Sequence, residues 1–116
     1  MNIQIFGKKK CFDTKKAERY FKERGIKYQF IDLLDKGMSK GEFNSIKQAV
    51  GGYQNMLDEN CKDKNLLALF TYLSDEDEDK EEKMLEKQVL IKTPIVRSGK
   101  KAAVGYKPEI WKEWLI

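Results

Sequence analysis

The sequence predicts an α/β protein in which a β-α-β unit and a β-β-α unit enclose a helical middle segment. Three observations predict this order. Two strand-like segments separated by an amphipathic helix fill residues 2–34, helical patterns fill 38–88, and strand character returns from residue 89 before a last helix. Because 116 residues suffice for one hydrophobic core, we expect a single domain over 1–116, with 38–88 as a helical insert and a mixed sheet flanked by helices.

The first unit follows from the hydrophobic pattern. NIQIF, at 2–6, alternates polar and apolar side chains as a strand does. From Thr14 apolar side chains recur at helical spacing until Gly25, which favours a helix end. IKYQFIDLL, at 26–34, is apolar on both faces, as expected for a strand covered by helices on each side. The connection between the two strands is expected to be right-handed, with Cys11 in its first loop.

The remaining elements follow from caps and turns. A capping box formed by Ser39 and Glu42 predicts a helix that ends at Gly51 and Gly52. Leucine spacing predicts a helix over 66–73, and the acids of 75–82 suit the first turn of another that continues to Val89. VLIKTPIV (89–96) and AAVGY (102–106) predict strands around the turn SGKK, and Pro108 opens a closing helix.

Composition excludes several classes of protein. The chain has no histidine and only two cysteines, Cys11 and Cys61. Histidine-based catalysis is therefore excluded, and neither a metal site nor a bound cofactor is expected, because zinc and iron-sulfur sites take several Cys or His ligands. The sequence has neither an apolar leader nor a run of eighteen apolar residues. We expect a cytoplasmic protein with reduced thiols and no membrane partner.

The charge distribution favours anionic partners. The net charge is +4, but DEDEDKEE (75–82) holds seven acids and one lysine. The rest of the chain has 22 basic and 12 acidic residues, a balance of +10. An oxyanion, the carboxylates of glutathione or an acidic protein face would suit this surface. No basic helix with interleaved aromatics is present, so direct nucleic-acid binding is not expected. A monomer is expected.

Cys11 is the candidate reactive group. It lies between the lysines of 8–10 and a helix start, where backbone N–H groups and the helix dipole favour negative charge. The lysines at 8–10 and 15–16 add cations, and the hydroxyl of Thr14 can donate to the sulfur. Each effect favours the thiolate, which is the nucleophilic form. The alternative is a small apolar side chain packed under the helix.

Several motifs in this order resemble the arsenate reductase (ArsC) and Spx family. They are Cys11 with Thr14 after the first strand, TPIV at 93–96, and VGYKPE at 104–109 before the last helix. The resemblance covers the full length and includes the helical insert. It implies a thioredoxin-like fold with Cys11 as the nucleophile and Pro94 in cis facing it. A proline at a strand start independently fits such a position, since cis bonds are almost confined to X-Pro.

The resemblance implies a monothiol thiol-disulfide oxidoreductase. Cys11 would attack an oxidised or electrophilic substrate, and glutathione, another small thiol or glutaredoxin would complete the cycle. Thr14 would be the second catalytic residue. The expected substrate-binding residues come from the Cys11 loop and from the segments facing it: Lys10, Phe12, Asp13, Lys15, Thr93, Pro94 and Tyr106.

The sequence departs from the arsenate-reducing branch of the family. Three arginines surround the cysteine in that branch, and the matching positions here hold Asp58, Thr93 and Tyr106. These side chains lack the planar, bidentate cation that binds an oxyanion. Efficient arsenate reduction is therefore not expected, although Arg97 is another candidate source of a cation.

One alternative that stays open is a family member that retains the fold and has no redox activity. Two others concern particular residues. The first is an Spx-like regulator that binds the RNA polymerase alpha subunit, favoured by VGY, by Gly52 and by the missing arginines. A glycine pair at a helix end is also an ordinary cap. The second concerns Cys61, which is either a resolving thiol for Cys11 or a cysteine of the insert without a redox role. A disulfide requires Cα atoms within about 7 Å.

Overall fold

The computed structural model describes residues 2–73 and 75–115. The two ends of the predicted domain, residues 1 and 116, lie outside the described residues. The strands are β1 (Ile3–Gly7), β2 (Tyr28–Asp32), β3 (Ile95–Ser98) and β4 (Lys101–Val104). The α-helices are α1 (Phe12–Glu23), α2 (Lys40–Val50), α3 (Lys64–Leu73), α4 (Asp77–Glu86) and α5 (Pro108–Trp114), and 3-10 turns occupy Tyr53–Met56 and Gln88–Leu90.

The four strands form one mixed sheet in the order β2-β1-β3-β4. β1 pairs in parallel with β2, while β3 is antiparallel to both β1 and β4. Two apolar clusters lie on its two faces because neighbouring side chains of a strand point in opposite directions. Ile3 and Ile5 of β1 belong to the cluster with α1 and α5, whereas Phe6 belongs to the cluster with the helices between β2 and β3. The predicted thioredoxin-like fold, with a mixed sheet flanked by helices, is confirmed.

Helix ends agree with the predicted caps more closely at α2 than at α1. Ser39 Oγ accepts from the Glu42 N–H at 3.1 Å, and Glu42 Oε1 accepts from the Ser39 N–H at 2.9 Å, so the capping box is confirmed. α1 begins at Phe12, earlier than the predicted Thr14, with Cys11 at the N-cap position. Cys11 therefore precedes the first helical residue directly.

The prediction of one strand over 89–96 is wrong for residues 89–94. Residues 88–90 form a 3-10 turn, Ile91 makes an isolated bridge with Leu57, and β3 starts only at Ile95. The carbonyls of this segment have partners outside a sheet: the Lys8 ammonium binds those of Val89 and Ile91, and the Asp58 N–H binds that of Leu90. The segment cannot extend the sheet because these acceptors are already used.

β2 also differs from its prediction. It is shorter than 26–34 and lies at the edge of the sheet. Ile31 is buried, but Gln29 is exposed and Tyr28 and Phe30 are only partly buried. A polar side chain at the centre of the strand suits an edge, where helices cover it less completely. Within residues 2–73 and 75–115, no helix has the length and apolar character needed to cross a bilayer.

Candidate active site at the start of α1

Gly7 lets α1 start close against the sheet. β1 ends at this residue, and a Cβ there would overlap the methyl group of Thr14 and lie 2.9 Å from its hydroxyl oxygen. The missing side chain gives Thr14 its place, where it is only 1% exposed. The sequence did not indicate this role, because a glycine directly after a predicted strand is also an ordinary strand end.

The Cys11 sulfur lies between the start of α1 and the segment that precedes β3. The side chain is partly buried, and Sγ is 3.7 Å from the backbone carbonyl oxygen of Thr93. The Thr93-Pro94 peptide bond is cis, as predicted. Pro94 is buried, and its carbonyl accepts from the Gly105 N–H at 2.7 Å. Cys11, Thr14, Thr93 and Pro94 are thus brought together from positions far apart in the chain.

The surroundings favour the thiolate of Cys11. Burial raises the pKa of the thiol, but hydrogen bonds from the Thr14 and Thr93 side chains and from the N–H groups of Thr14 and Asp13 outweigh it, so the pKa is lowered. The Thr14 hydroxyl oxygen lies 3.5 Å from the Lys8 N–H, from which it accepts, and this leaves its own hydrogen free for the sulfur. The stabilising groups are hydroxyls and amides at the N-terminus of α1.

The exposed lysines contribute less to stabilising the Cys11 thiolate than the sequence suggested. Lys9 and Lys10 point into solvent. Lys15 lies over the Phe12 ring, with its Nζ 5.9 Å from the centroid, and Lys16 pairs with Asp13 at 3.9 Å. Such exposed pairs contribute little energy, because water screens them. The predicted substrate contacts of Lys10, Asp13 and Lys15 stay predictions.

Two aromatic residues of the predicted set lie on different sides of α1. Phe12 is 80% exposed beside Cys11, and its predicted contact with the substrate stays a prediction. Tyr106 packs edge-on against Trp111, with ring centroids 5.4 Å apart, and lies under the Lys16 ammonium. It therefore faces the middle of α1, and its predicted place in the substrate site stays a prediction. The candidate cation Arg97 is engaged elsewhere, since its guanidinium binds Gln4, Ser45 and the Gly99 carbonyl.

Lys8 is the residue that the sequence did not distinguish. Its ammonium is partly buried and donates to the carbonyl oxygens of Val89 at 3.0 Å and Ile91 at 2.9 Å. Burial lowers the pKa of this lysine, while the nearby Asp58, Cys61 and Cys11 act in the opposite direction. Lys8 thus places a partly buried cation at the site, whereas the ammonium groups of Lys9 and Lys10 are exposed to solvent.

Cys61 lies in the core of the helical insert. It is 2% exposed, and its thiol lies 3.6 Å from the Val89 carbonyl oxygen, which also accepts from Lys8. Both cysteines are free thiols. Its predicted role as a resolving thiol stays a prediction, and it requires the buried sulfur to become accessible. No group of three or more Cys, Asp or Glu side chains suited to a metal ion occurs among residues 2–73 and 75–115.

Gly51 and Gly52 have a backbone reason to be glycines. Their φ angles are +88° and +132°, a region that other residues avoid, and both N–H groups bond to the Lys47 carbonyl. A Cβ on Gly52 would also lie 2.6 Å from Gln54 Oε1. The pair therefore closes α2, and the regulator that binds the RNA polymerase alpha subunit stays a prediction.

Known proteins are similar to the chain along almost its entire length. In three dimensions it resembles an ArsC-family-related protein from Bacteroides fragilis, with a TM-score of 0.84, 21% identity and 97% of each chain covered. It also resembles an arsenate reductase from Vibrio cholerae, with a TM-score of 0.82, 27% identity and 97% of each chain covered. For a Staphylococcus aureus protein the values are 0.80 and 27%, with 98% of this chain and 99% of the other covered.

No curated protein sequence matches the chain. The model of the ArsC family, in contrast, matches residues 6–114. This match includes the Cys11 loop, the helical insert and the strands that carry Thr93 and Pro94 to the site. The chain therefore belongs to the ArsC family.

Proposed function

We propose that the protein is a monothiol thiol-disulfide oxidoreductase that uses Cys11 as its nucleophile. The observation that carries the proposal is the position of the Cys11 sulfur at the N-cap of α1, 3.7 Å from the carbonyl oxygen of Thr93 at the cis Thr93-Pro94 bond, where Thr14, Thr93 and the amides of the first helical turn lower its pKa. Membership of the ArsC family and similarity to an arsenate reductase support a thiol-based redox function. An inert cysteine would have no need of two hydroxyl groups directed at its sulfur.

The proposed cycle has two exchange steps. The Cys11 thiolate attacks one sulfur of an oxidised substrate disulfide, forms a mixed disulfide and releases the other sulfur as a thiolate, which takes a proton from water. A thiolate of glutathione or a similar small thiol then attacks the mixed disulfide and returns Cys11 to the thiolate. For a glutathionylated substrate, Cys11 takes the glutathionyl group and the substrate leaves as its thiol; one free glutathione then joins that group to give one glutathione disulfide.

The residues around Cys11 have separate proposed roles in this cycle. Thr14 and the helix N-terminus stabilise the thiolate before attack and whenever Cys11 is the leaving group. Thr93 and the buried Pro94 form the wall against which an extended thiol or peptide would lie. Phe12, which is largely exposed, and the ammonium groups of Lys10 and Lys15 would contact the remainder of an acidic thiol such as glutathione.

Arsenate is not the proposed substrate. Binding of a small oxyanion requires several directed cations or N–H donors, and Asp58, Thr93 and Tyr106 supply no guanidinium. Arg97 is bound to the opposite end of β1 and to α2. The cation of Lys8 already donates to two carbonyls, which leaves one N–H for any ligand.

Turnover with glutathione and hydroxyethyl disulfide tests the proposal. We expect activity in the wild-type protein, none with Cys11→Ser, and retained activity with the matched variant Cys61→Ser. The rate of alkylation by iodoacetamide, followed against pH, should give a Cys11 pKa below the ordinary value of about 8.5. A pKa at that ordinary value, or equal turnover by the Cys11→Ser variant, would refute the proposed function. In a parallel assay, Cys11-dependent turnover of arsenate would refute the exclusion of arsenate as a substrate.

A further inference from the structure

Lys8 differs from the two lysines that follow it. Its side chain turns inward, and its ammonium holds the carbonyl oxygens of Val89 and Ile91 at 3.0 and 2.9 Å. Lys9 and Lys10 are exposed. An ammonium that is removed from water and given two carbonyl partners fixes those carbonyls more firmly than a solvated one, because its hydrogen bonds are charge-assisted.

The backbone of Lys8 is bonded to the Cys11 loop. Its carbonyl oxygen accepts from the Cys11 N–H at 3.1 Å, and its N–H points to the Thr14 hydroxyl oxygen at 3.5 Å. A displacement of Lys8 would therefore alter the position of the nucleophile and of the hydroxyl group beside it. Lys8 therefore contacts the Cys11 loop through its backbone and the carbonyls of Val89 and Ile91 through its ammonium.

The carbonyls that Lys8 holds belong to the segment that delivers Thr93. Two backbone hydrogen bonds tie this segment to the insert. The Asp58 N–H donates to the Leu90 carbonyl and the Lys92 N–H donates to the Met56 carbonyl, both at 2.8 Å. Lys8 fixes the segment from the side of β1. Two residues after Ile91, Thr93 lies against the Cys11 sulfur: its carbonyl oxygen is 3.7 Å from Sγ, and its hydroxyl is one of the hydrogen-bond partners that lower the Cys11 pKa.

We infer that Lys8 is a positioning residue, whose ammonium holds the segment of residues 89–91 so that Thr93 stays against the Cys11 sulfur. This inference rests on the proposed function of Cys11. A lysine that served only as a nearby cation would act on the thiolate directly and would not depend on Thr93. The two possibilities differ in how substitutions at Lys8 and Thr93 combine.

A double-mutant cycle on the Cys11 pKa tests the inference. The variants are Lys8→Met, Thr93→Val and the double variant, with iodoacetamide alkylation against pH as the measurement and thermal unfolding as the check on folding. We expect Lys8→Met to raise the pKa and to slow alkylation at pH 7 by roughly threefold to tenfold, since a shift of one pKa unit is a tenfold change in thiolate. In the Thr93→Val background the same substitution should have little further effect.

Matched controls separate positioning from charge. Lys9→Met removes the same charge from the neighbouring position and should change the alkylation rate by less than about twofold, because that side chain is solvated. Lys8→Arg keeps a cation with several donors and should restore a large part of the rate. If Lys8→Met does not fold, Lys8→Gln keeps a neutral N–H donor at the site and takes its place in the cycle.

Three results would overturn the inference. They are an unchanged Cys11 pKa in the Lys8 variants, an equal effect of Lys9→Met, and full additivity of the Lys8 and Thr93 substitutions. Each of these can occur while wild-type Cys11 has a lowered pKa and the proposed function stands. An ordinary pKa in the wild-type protein would instead remove the proposed function, and the inference with it.

Discussion

Cys11 and Cys61 meet opposite surroundings within one small fold. Both sulfurs have a backbone carbonyl oxygen within 3.7 Å, but Cys11 is partly exposed at the start of α1 and has hydroxyl and amide partners, whereas Cys61 is only 2% exposed within the insert. The donors directed at the Cys11 sulfur favour its thiolate, and burial separates Cys61 from reagents in solvent. The reactivity of each cysteine is therefore set by the groups around its sulfur and by the access of that sulfur to solvent.

The largest expected effect is on the alkylation of the two thiols. In the native protein iodoacetamide should label Cys11 and spare Cys61, whose reaction requires local opening of the insert and should be at least roughly a hundredfold slower. Mass spectrometry of peptides after timed labelling measures both rates. In denaturant the two rates should converge, which is the internal control. Fast native labelling of Cys61 would break the comparison and favour its role as a resolving thiol.

A smaller effect is expected from two glycine substitutions, one in each region. Gly7→Ala should reduce the free energy of unfolding by about 1–3 kcal/mol and raise the Cys11 pKa, because the new methyl group displaces Thr14. Gly41→Ala in α2 meets no atom within 4 Å and should be neutral or stabilising by up to about 1 kcal/mol. Urea unfolding measures both. A neutral Gly7→Ala variant with an unchanged pKa would show that Thr14 does not depend on this close approach.

The Thr14 hydroxyl should have an effect on reactivity that an equivalent group in the insert lacks. Thr14→Val keeps the shape of the side chain, raises the Cys11 pKa and should slow alkylation at pH 7 by roughly threefold to tenfold. The control is Thr71→Val in α3, where the hydroxyl donates to the Leu67 carbonyl at 2.9 Å. The control should leave the alkylation rate unchanged. Equal rates in the two variants would mean that the hydroxyl of Thr14 is not a partner of the sulfur.

The smallest expected effect is the pH dependence of stability. The Cys11 pKa is lowered in the folded state. Its contribution to stability is therefore fully present above the unfolded value, about 8.5, and is lost as the pH falls through the folded value. Relative to Cys11→Ser, the wild-type protein should gain stability as the pH rises towards 9. Denaturant unfolding at several pH values measures this difference, and a flat difference across that range would contradict the lowered pKa.

Local patterns were sufficient to predict much of the fold and part of the site. The capping box of Ser39 and Glu42 needs only three residues of context, and Thr14 lies one helical turn from Cys11, so both could be derived from spacing. Pro94 and Thr93 required the resemblance to a family, because nothing within their own segment relates them to residue 11. The strand predicted over 89–96 was wrong for the same reason, since carbonyl groups of this segment bond to residues elsewhere in the chain.

The directions of the Lys8 and Tyr106 side chains could not be predicted from the spacing of residues in the sequence. Three consecutive lysines are equivalent in the sequence, and only the inward direction of the first, after β1 has ended, separates it from the others. The direction of Tyr106 is set by its packing on Trp111, after Gly105 has turned the chain with a φ of +90°. Both outcomes depend on tertiary packing, which hydrophobic periodicity does not encode.

The distance along the chain between Cys11 and Thr93 has a consequence for the order of events during folding. Their contact joins residues 82 positions apart, and β3 reaches the sheet only by pairing with β1. Contacts of such long sequence separation form at a high entropic cost and depend on much of the chain being in place. While the chain is being synthesised, Cys11 emerges together with Asp13 and Thr14 but long before Thr93. The set of groups around its sulfur is therefore complete only when β3 has paired with β1, and the full reactivity of Cys11 is a measure of complete folding.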